Sequence, residues 1–192
     1  MSVDGLPLPV AADLLDRWSE PHRRYHSTTH LVMGLQALAV LGAGGLERIA
    51  FWFHDARHLN TSPDDEIASA ALAGVMLTGV VPPDQVREVQ RLVLLTTRHQ
   101  PRAGDDAGAR LCDADLAGLA APWDLYRENT SGIRHEMPWI TDEQFRVGRA
   151  AFMTRFLERP RIYHTDVGFQ RWESNARRNI RREIDELRAA GH

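Results

Sequence analysis

Apolar side chains recur at three- and four-residue spacing along almost the whole chain, and nowhere do they alternate with polar ones at a spacing of two. Leu31, Leu35 and Leu38 fall on one helical face, as do Val86, Val89, Val93 and Thr96, and then Phe169, Trp172, Ala176, Ile180, Ile184 and Leu187. A half-buried sheet needs the alternation that is missing, so the pattern predicts an all-α fold. The start and stop signals agree. Ser62-Pro63 reads as N-cap and first helical residue of "DDEIASAALAGVML", Pro82-Pro83 opens the next helix, and Thr141 with Gln144 spells a capping box. Pro21 and Pro160 mark stops. The connections are short, as in "NTSPD", apart from the polar loop "QPRAGDDAGAR". No linker or internal repeat divides the chain, which therefore reads as a single domain over residues 1–192, a bundle of about eight or nine helices.

Composition narrows the function classes. With 192 residues, 43% of them hydrophobic and 26% charged, the chain can bury an ordinary core. A net charge of −3 leaves no basic footprint for nucleic acid or an anionic membrane surface. No apolar run approaches the roughly 20 residues that span a bilayer, and "MSVDGLPLPVAADLL" lacks the basic and apolar parts of a leader, so the expected location is the cytoplasm. The lone Cys112 rules out an internal disulfide and a CxxC site. All 23 cationic side chains are Arg, which excludes Schiff-base chemistry and a Walker-type phosphate loop. The glycines of "LGAGG" fail the dinucleotide pattern because Glu47 stands where its third Gly belongs.

Three segments carry ionisable groups in suggestive places. "FWFHDARH" sets His54, Asp55 and His58 behind an aromatic run, "RRYHSTTHL" sets His26 and His30 four residues apart, and "LCDADLAGL" supplies Asp113 and Asp115. If a helix begins near His26, the two imidazoles of that segment stack on one face. Each piece has an ordinary alternative: a polar helix end, a hydrogen-bonded core histidine, or acidic residues charging a first helical turn. Taken together, His30, His54, Asp55 and Asp115 would form a mixed nitrogen and oxygen shell with positions left for water. Such a shell suits Mn, Fe, Co, Ni, Zn or Mg in a catalytic role.

That ordered set, a His, then "HD", then a distant Asp on successive helices, resembles the HD superfamily of metal-dependent phosphohydrolases. The order "EPHRRYHSTTHL", "AFWFHDARH", "DEIASAAL", "LLTTRH", "CDADLAGL", "IRHEM" and "ARRNI" is similar to a bacterial subfamily described as predicted HD phosphohydrolases, from about Ser19 to the last helix. The resemblance implies an HD-type all-α bundle with the metal between helices. This chain departs from relatives in carrying His58 and Met137 where Tyr is common. "YHSTTH" is similar to the Y-H-N-x-x-H of cyclic-nucleotide phosphodiesterases, with Ser27 in place of Asn, which implies His30 as a ligand and His26 as a general acid. The A-D-x-L-like context of the family's last ligand favours Asp115, leaving Asp113 as the alternative.

The expected chemistry is hydrolysis of a small phosphate ester, a nucleotide among the candidates, by water activated on a divalent metal. His26 or His58 would protonate the leaving group, and Glu66 would orient the water or a ligand. Without Lys, phosphate charge falls to the metal, the backbone or Arg, with Arg23 (beside Arg24), Arg134 and Arg177 as candidate forks. His99 is a candidate ligand for a second metal. Two alternatives stand beside the hydrolase: a dinuclear iron oxygenase of the same fold, and a non-catalytic metal- or nucleotide-binding regulatory protein.

Overall fold

Helices account for most of residues 2–190, which the computed structural model describes. Nine α-helices follow one another among these residues: α1 (Leu8–Trp18), α2 (Thr28–Val40), α3 (Gly45–Phe53), α4 (Asp64–Leu77), α5 (Pro83–Leu95), α6 (Asp106–Asp115), α7 (Trp123–His135), α8 (Asp142–Glu158) and α9 (Asp166–Ala189). A short 3-10 helix, Leu116–Ala120, continues α6 directly. The chain is thus all-helical, apart from a two-stranded antiparallel hairpin, Ser2–Val3 with Leu6–Pro7, that the periodicity did not foretell. Its turn at Asp4 and Gly5 has positive φ at both positions, which Gly adopts freely and Asp more readily than most residues.

Capping explains most boundaries. Pro82 precedes α5 with Pro83 as its first residue, and the Thr141–Gln144 box closes both ways at the start of α8. Ser62 is not the cap of α4: Pro63 holds that position, and the Ser62 hydroxyl instead donates to Glu66 Oε1 at 2.7 Å. Gly42, with φ of 68°, follows Leu41, the C-cap of α2, in the left-handed conformation that ends helices.

Two apolar cores lie along the bundle. The first gathers α1 to α6 around Trp18, Phe51, Phe53, Leu77 and Leu92; the second packs Ile162, Tyr163 and Ile180 against Met153, Phe156 and Leu116. Trp172 touches both. Full burial of each large side chain contributes about 1.5–3 kcal/mol. α2 and α3 approach so closely that a Cβ on Gly34 would fall 1.8 Å from the Phe51 ring, so Gly at this position is a packing requirement. The junction of α6 with the 3-10 helix crosses the seam between the cores, with Ala114 in the first and Leu116 in the second, which leaves Asp115 between them. Among the described residues, no helix is long and apolar enough to cross a membrane.

Candidate metal centre

The aromatic run of α3 is buried on the first core, and the chain turns immediately after Phe53. His54 is therefore held in place from below: its Nδ1 lies 2.8 Å from the Phe51 carbonyl, which can only accept, so this nitrogen carries a proton and Nε2 is the atom that takes either a second proton or a metal. That nitrogen meets three neighbours. His54 Nε2 is 3.3 Å from His30 Nε2, 3.4 Å from Asp115 Oδ1 and 3.1 Å from Asp55 Oδ2. His30 Nε2 is 3.0 Å from Asp115 Oδ1 and 4.0 Å from Asp55 Oδ2. Ligands bonded at about 2.0–2.2 Å to one ion stand roughly 3.0–3.5 Å apart. Three of these residues, His30, His54 and Asp115, offer ligand atoms all within 4.8 Å of one another, with Asp55 Oδ2 beside His54 at the edge of the group, and Trp18 closes the apolar side with its ring 5.4 Å from that of His54.

The electrostatics favour a cation. Asp55 lies just beyond the C-terminal end of α3 and Asp115 is the last residue of α6, positions where the helix dipole disfavours a negative charge. Burial also opposes their ionisation, yet the His54 imidazole and its hydrogen bonds hold both carboxyls well below their usual range. For His54 burial works against protonation, but Asp55 and Asp115 outweigh it and push the pKa well above the ordinary value. The carboxylates demand a positive charge here, a proton on imidazole or a metal ion. His99, in the left-handed conformation with φ of 50°, places Nε2 2.7 Å from Asp115 Oδ2, the oxygen that faces away from His30 and His54.

A second group adjoins the first. α2 begins at Thr28, so His26 precedes it rather than stacking one helical turn below His30, and its ring meets His30 edge-on at 5.8 Å. Glu136, just past α7, organises this loop: Oε1 accepts from the backbone N–H groups of Arg24, Tyr25 and His26, and Oε2 lies 2.6 Å from His26 Nδ1. His58 stacks on His26 with centroids 3.9 Å apart and rings inclined by 35°. Its Nδ1 is 3.7 Å from Asp55 Oδ1, and its buried Nε2, 3.7 Å from Glu136 Oε2, has no hydrogen-bond partner. His26, His58 and Glu136 offer ligand atoms within 4.8 Å of one another. Imidazole lone pairs lie in the ring planes, so two stacked rings point them alongside each other rather than toward one ion. The arrangement suits proton handling: burial and the charge of His58 lower the His26 pKa, while Asp55 and Glu136 overcome burial and raise that of His58 to about 9.

Both groups face a cavity of about 1130 Å³ whose lining includes Asp55, His58, His99 and Asp115. Glu66 lines it too, with one oxygen on Ser62 and the other buried without a partner. Asp113 stands apart. Its carboxylate accepts from the N–H groups of His164 and Thr165 and from the Thr165 hydroxyl, anchoring the start of α9. The three arginines expected to grip phosphate are engaged elsewhere. Arg23 is buried and donates to the carbonyls of His26, Asp55 and Ala56, tying the His26 and Asp55 loops together. Arg134 holds Asp142 and two carbonyls, and Arg177 holds Glu173 and the carbonyls of Leu157, Arg159 and Pro160. The guanidiniums that line the cavity belong to Arg98, Arg149, Arg155 and Arg159. Sequence reasoning passed over these and Glu136. The signals were an Arg and Phe stripe at helical spacing in "FRVGRAAFMTRFLER", and an acidic residue at a helix end where the dipole favours a basic one. No family model matches the chain, and no curated protein and no solved structure matches it either.

Proposed function

We propose that the chain is a cytoplasmic metal-dependent phosphohydrolase of the HD superfamily, acting on a small phosphorylated ester. The observation that carries this reading is the convergence of His30, His54 and Asp115, with Asp55 beside His54, at the seam of the two cores, next to a cavity large enough for a nucleotide. These four residues would hold a divalent ion; their mixed donors suit Mn, Fe, Co, Ni, Zn or Mg. When bound, such an ion supplies an acidified water and a counter-charge for phosphoryl oxygens. Asp115 is preferred to Asp113 as the fourth ligand because Asp113 is saturated by three donors of its own.

The chain's own residues complete the reading. His26 or His58 is the proton donor to the leaving oxygen: both line the cavity, Glu136 fixes His26 Nδ1 and so directs Nε2 away from that carboxylate, and the stacked His58 is the imidazole whose pKa is raised. His58 also holds positive charge beside Asp55 and Glu136. Arg149, oriented by Glu183 at 2.9 Å, takes over the phosphate-facing role expected of Arg23, Arg134 and Arg177. Glu66 is positioned to accept from a water or a substrate hydroxyl in the cavity.

Elemental analysis of chelator-free protein, with His54→Ala as control, tests the reading together with a phosphate-release screen. About one metal per chain, lost in the variant, with metal-dependent release supports it. A wild-type chain that binds no metal after reconstitution with Mn, Fe, Co, Ni, Zn and Mg overturns it. A dinuclear iron oxygenase is the second reading, favoured by His99 on the far oxygen of Asp115. Two irons per chain, one lost in His99→Ala, would select it.

A further inference from the structure

Along α8, Phe145, Phe152 and Phe156 interleave with Arg149, Arg155 and Arg159, so one helical stripe brings phenyl faces and guanidiniums to the same cavity. Arg149 is paired with Glu183 and already assigned to the scissile phosphate. Arg159, at the end of the helix, reaches only backbone carbonyls, those of Arg98 and His99. Arg98 and Arg155 make no ion pair within 4.0 Å among the described residues, and Glu158, which also lines the cavity, pairs with none of the three. Arg155 and Arg159 lie over the Phe152 and Phe156 rings, at 5.3 and 4.3 Å, an arrangement that leaves the guanidinium edges free to donate. Burial and the charge of Arg155 both lower the pKa of Arg159, as expected of cations grouped without a counter-ion. The C-terminal end of α8 favours cations by its dipole, which accounts for Arg155 and Arg159. It does not account for Arg98, which comes from the turn after α5. One residue joins this wall to the metal centre: His99 meets Asp115 with its ring and accepts from Arg159 with its carbonyl.

We propose that Arg98, Arg155 and Arg159 form an anion subsite, so that the substrate is an organic phosphate with a second phosphate remote from the scissile one, its apolar body against Phe152 and Phe156. The inference rests on the phosphohydrolase reading only for which phosphate is cleaved; the subsite itself is a binding property of the chain.

Calorimetric titration of the full chain in Mn buffer with AMP and with adenosine 3′,5′-bisphosphate tests it, comparing wild type with Arg98→Gln/Arg155→Gln. The expected result is bisphosphate binding about tenfold tighter than AMP, with the preference collapsing toward unity in the double variant. Equal affinity for the two nucleotides in the wild type, no binding of either, or a preference that survives in the variant overturns the subsite. Release of p-nitrophenol from p-nitrophenyl phosphate by Mn-loaded wild type is followed separately. Its absence counts against hydrolysis, while the nucleotide preference alone decides the subsite.

Discussion

The two ionisable groups at the cavity are built in opposite ways. His30, His54, Asp55 and Asp115 sit in or beside the ends of α2, α3 and α6, and the packing of the first core brings those ends together. His26, His58 and Glu136 sit on loops, and one carboxylate gathers them by clamping three backbone N–H groups some 110 residues upstream. A centre set by helix packing holds its geometry when one ligand is removed, whereas a loop held by one side chain does not. Removing a ligand should therefore cost chemistry, and removing the clamp should cost both chemistry and order. The largest effect is expected for Asp55→Ala: metal content falling from about one per chain to none, and turnover falling by more than the roughly 10–100-fold lost when a residue that merely supports a ligand is replaced. Helicity by circular dichroism should be unchanged. Turnover surviving in that variant would break the distinction at its strong end.

His26→Gln should separate the two groups. Metal content stays at the wild-type level while kcat falls roughly 10²–10⁴-fold, the range for loss of a well-placed proton donor. Metal lost together with activity would mean that the stacked pair serves as ligands after all. Glu136→Gln adds the structural half: the amide cannot accept from His26 Nδ1 and the backbone with the same strength, and a buried donor left unsatisfied costs about 1–3 kcal/mol. Thermal unfolding should show that loss for Glu136→Gln and a much smaller one for His26→Gln.

This difference in construction also explains how much was readable from sequence. Helical periodicity survives in sequence because every turn repeats it, so α5 and α9 were legible from Val86, Val89, Val93 and from Ala176, Ile180, Ile184, all buried as expected. His54 and Asp55 were legible as a pair because polar groups follow directly on a buried aromatic run. The hairpin at Leu6 was not, since two-residue strands are too short to show alternation. Glu136 was not, because what defines it is contact across the fold rather than spacing. The arginines show the same limit from the other side. Arg23 looked available beside a His segment, and only the fold reveals that three carbonyls fill its donors.

If the helix-built group holds the proposed metal, proton and metal compete there, which gives a pH dependence of intermediate size. Burial alone would depress the pKa of His54, but Asp55 and Asp115 outweigh it and leave it well above the ordinary value in the metal-free protein. An incoming ion must displace that proton. Apparent metal affinity should accordingly fall as pH falls, by up to about tenfold per unit for one proton, with the decline already under way above pH about 6.5. Titration with Mn across pH 5 to 9 checks the sign. Affinity that is flat across this range would show that His54 is not a ligand.

Packing beneath the centre offers a smaller lever. A Cβ at Gly34 would overlap the Phe51 ring, and that ring packs 4.3 Å from His54 and 5.6 Å from His30. Gly34→Ala should destabilise the fold by about 1–3 kcal/mol, as overpacking does, and weaken metal binding through the two imidazoles without touching a ligand. Chemical unfolding measures the first and metal titration the second. His26 lies outside this contact, so its stacking on His58 should persist.

The smallest effect is expected at Arg134, which the sequence marks as a phosphate fork. Its guanidinium instead holds the carbonyls of Met137 and Ile140 and an Asp142 carboxylate that is 95% exposed. An ion pair so open to solvent contributes about 0.2–1 kcal/mol, and the two carbonyls add a local restraint on the turn between α7 and α8. Arg134→Gln should therefore lower stability by about 1 kcal/mol or less and leave KM for any phosphorylated substrate within about twofold. Arg134 does line a separate groove of about 730 Å³ with His22, Glu136 and Trp139. A tenfold rise in KM in this variant would mean that substrate reaches the loop-built group from that groove, and the arginines of α8 would then share their role with this one.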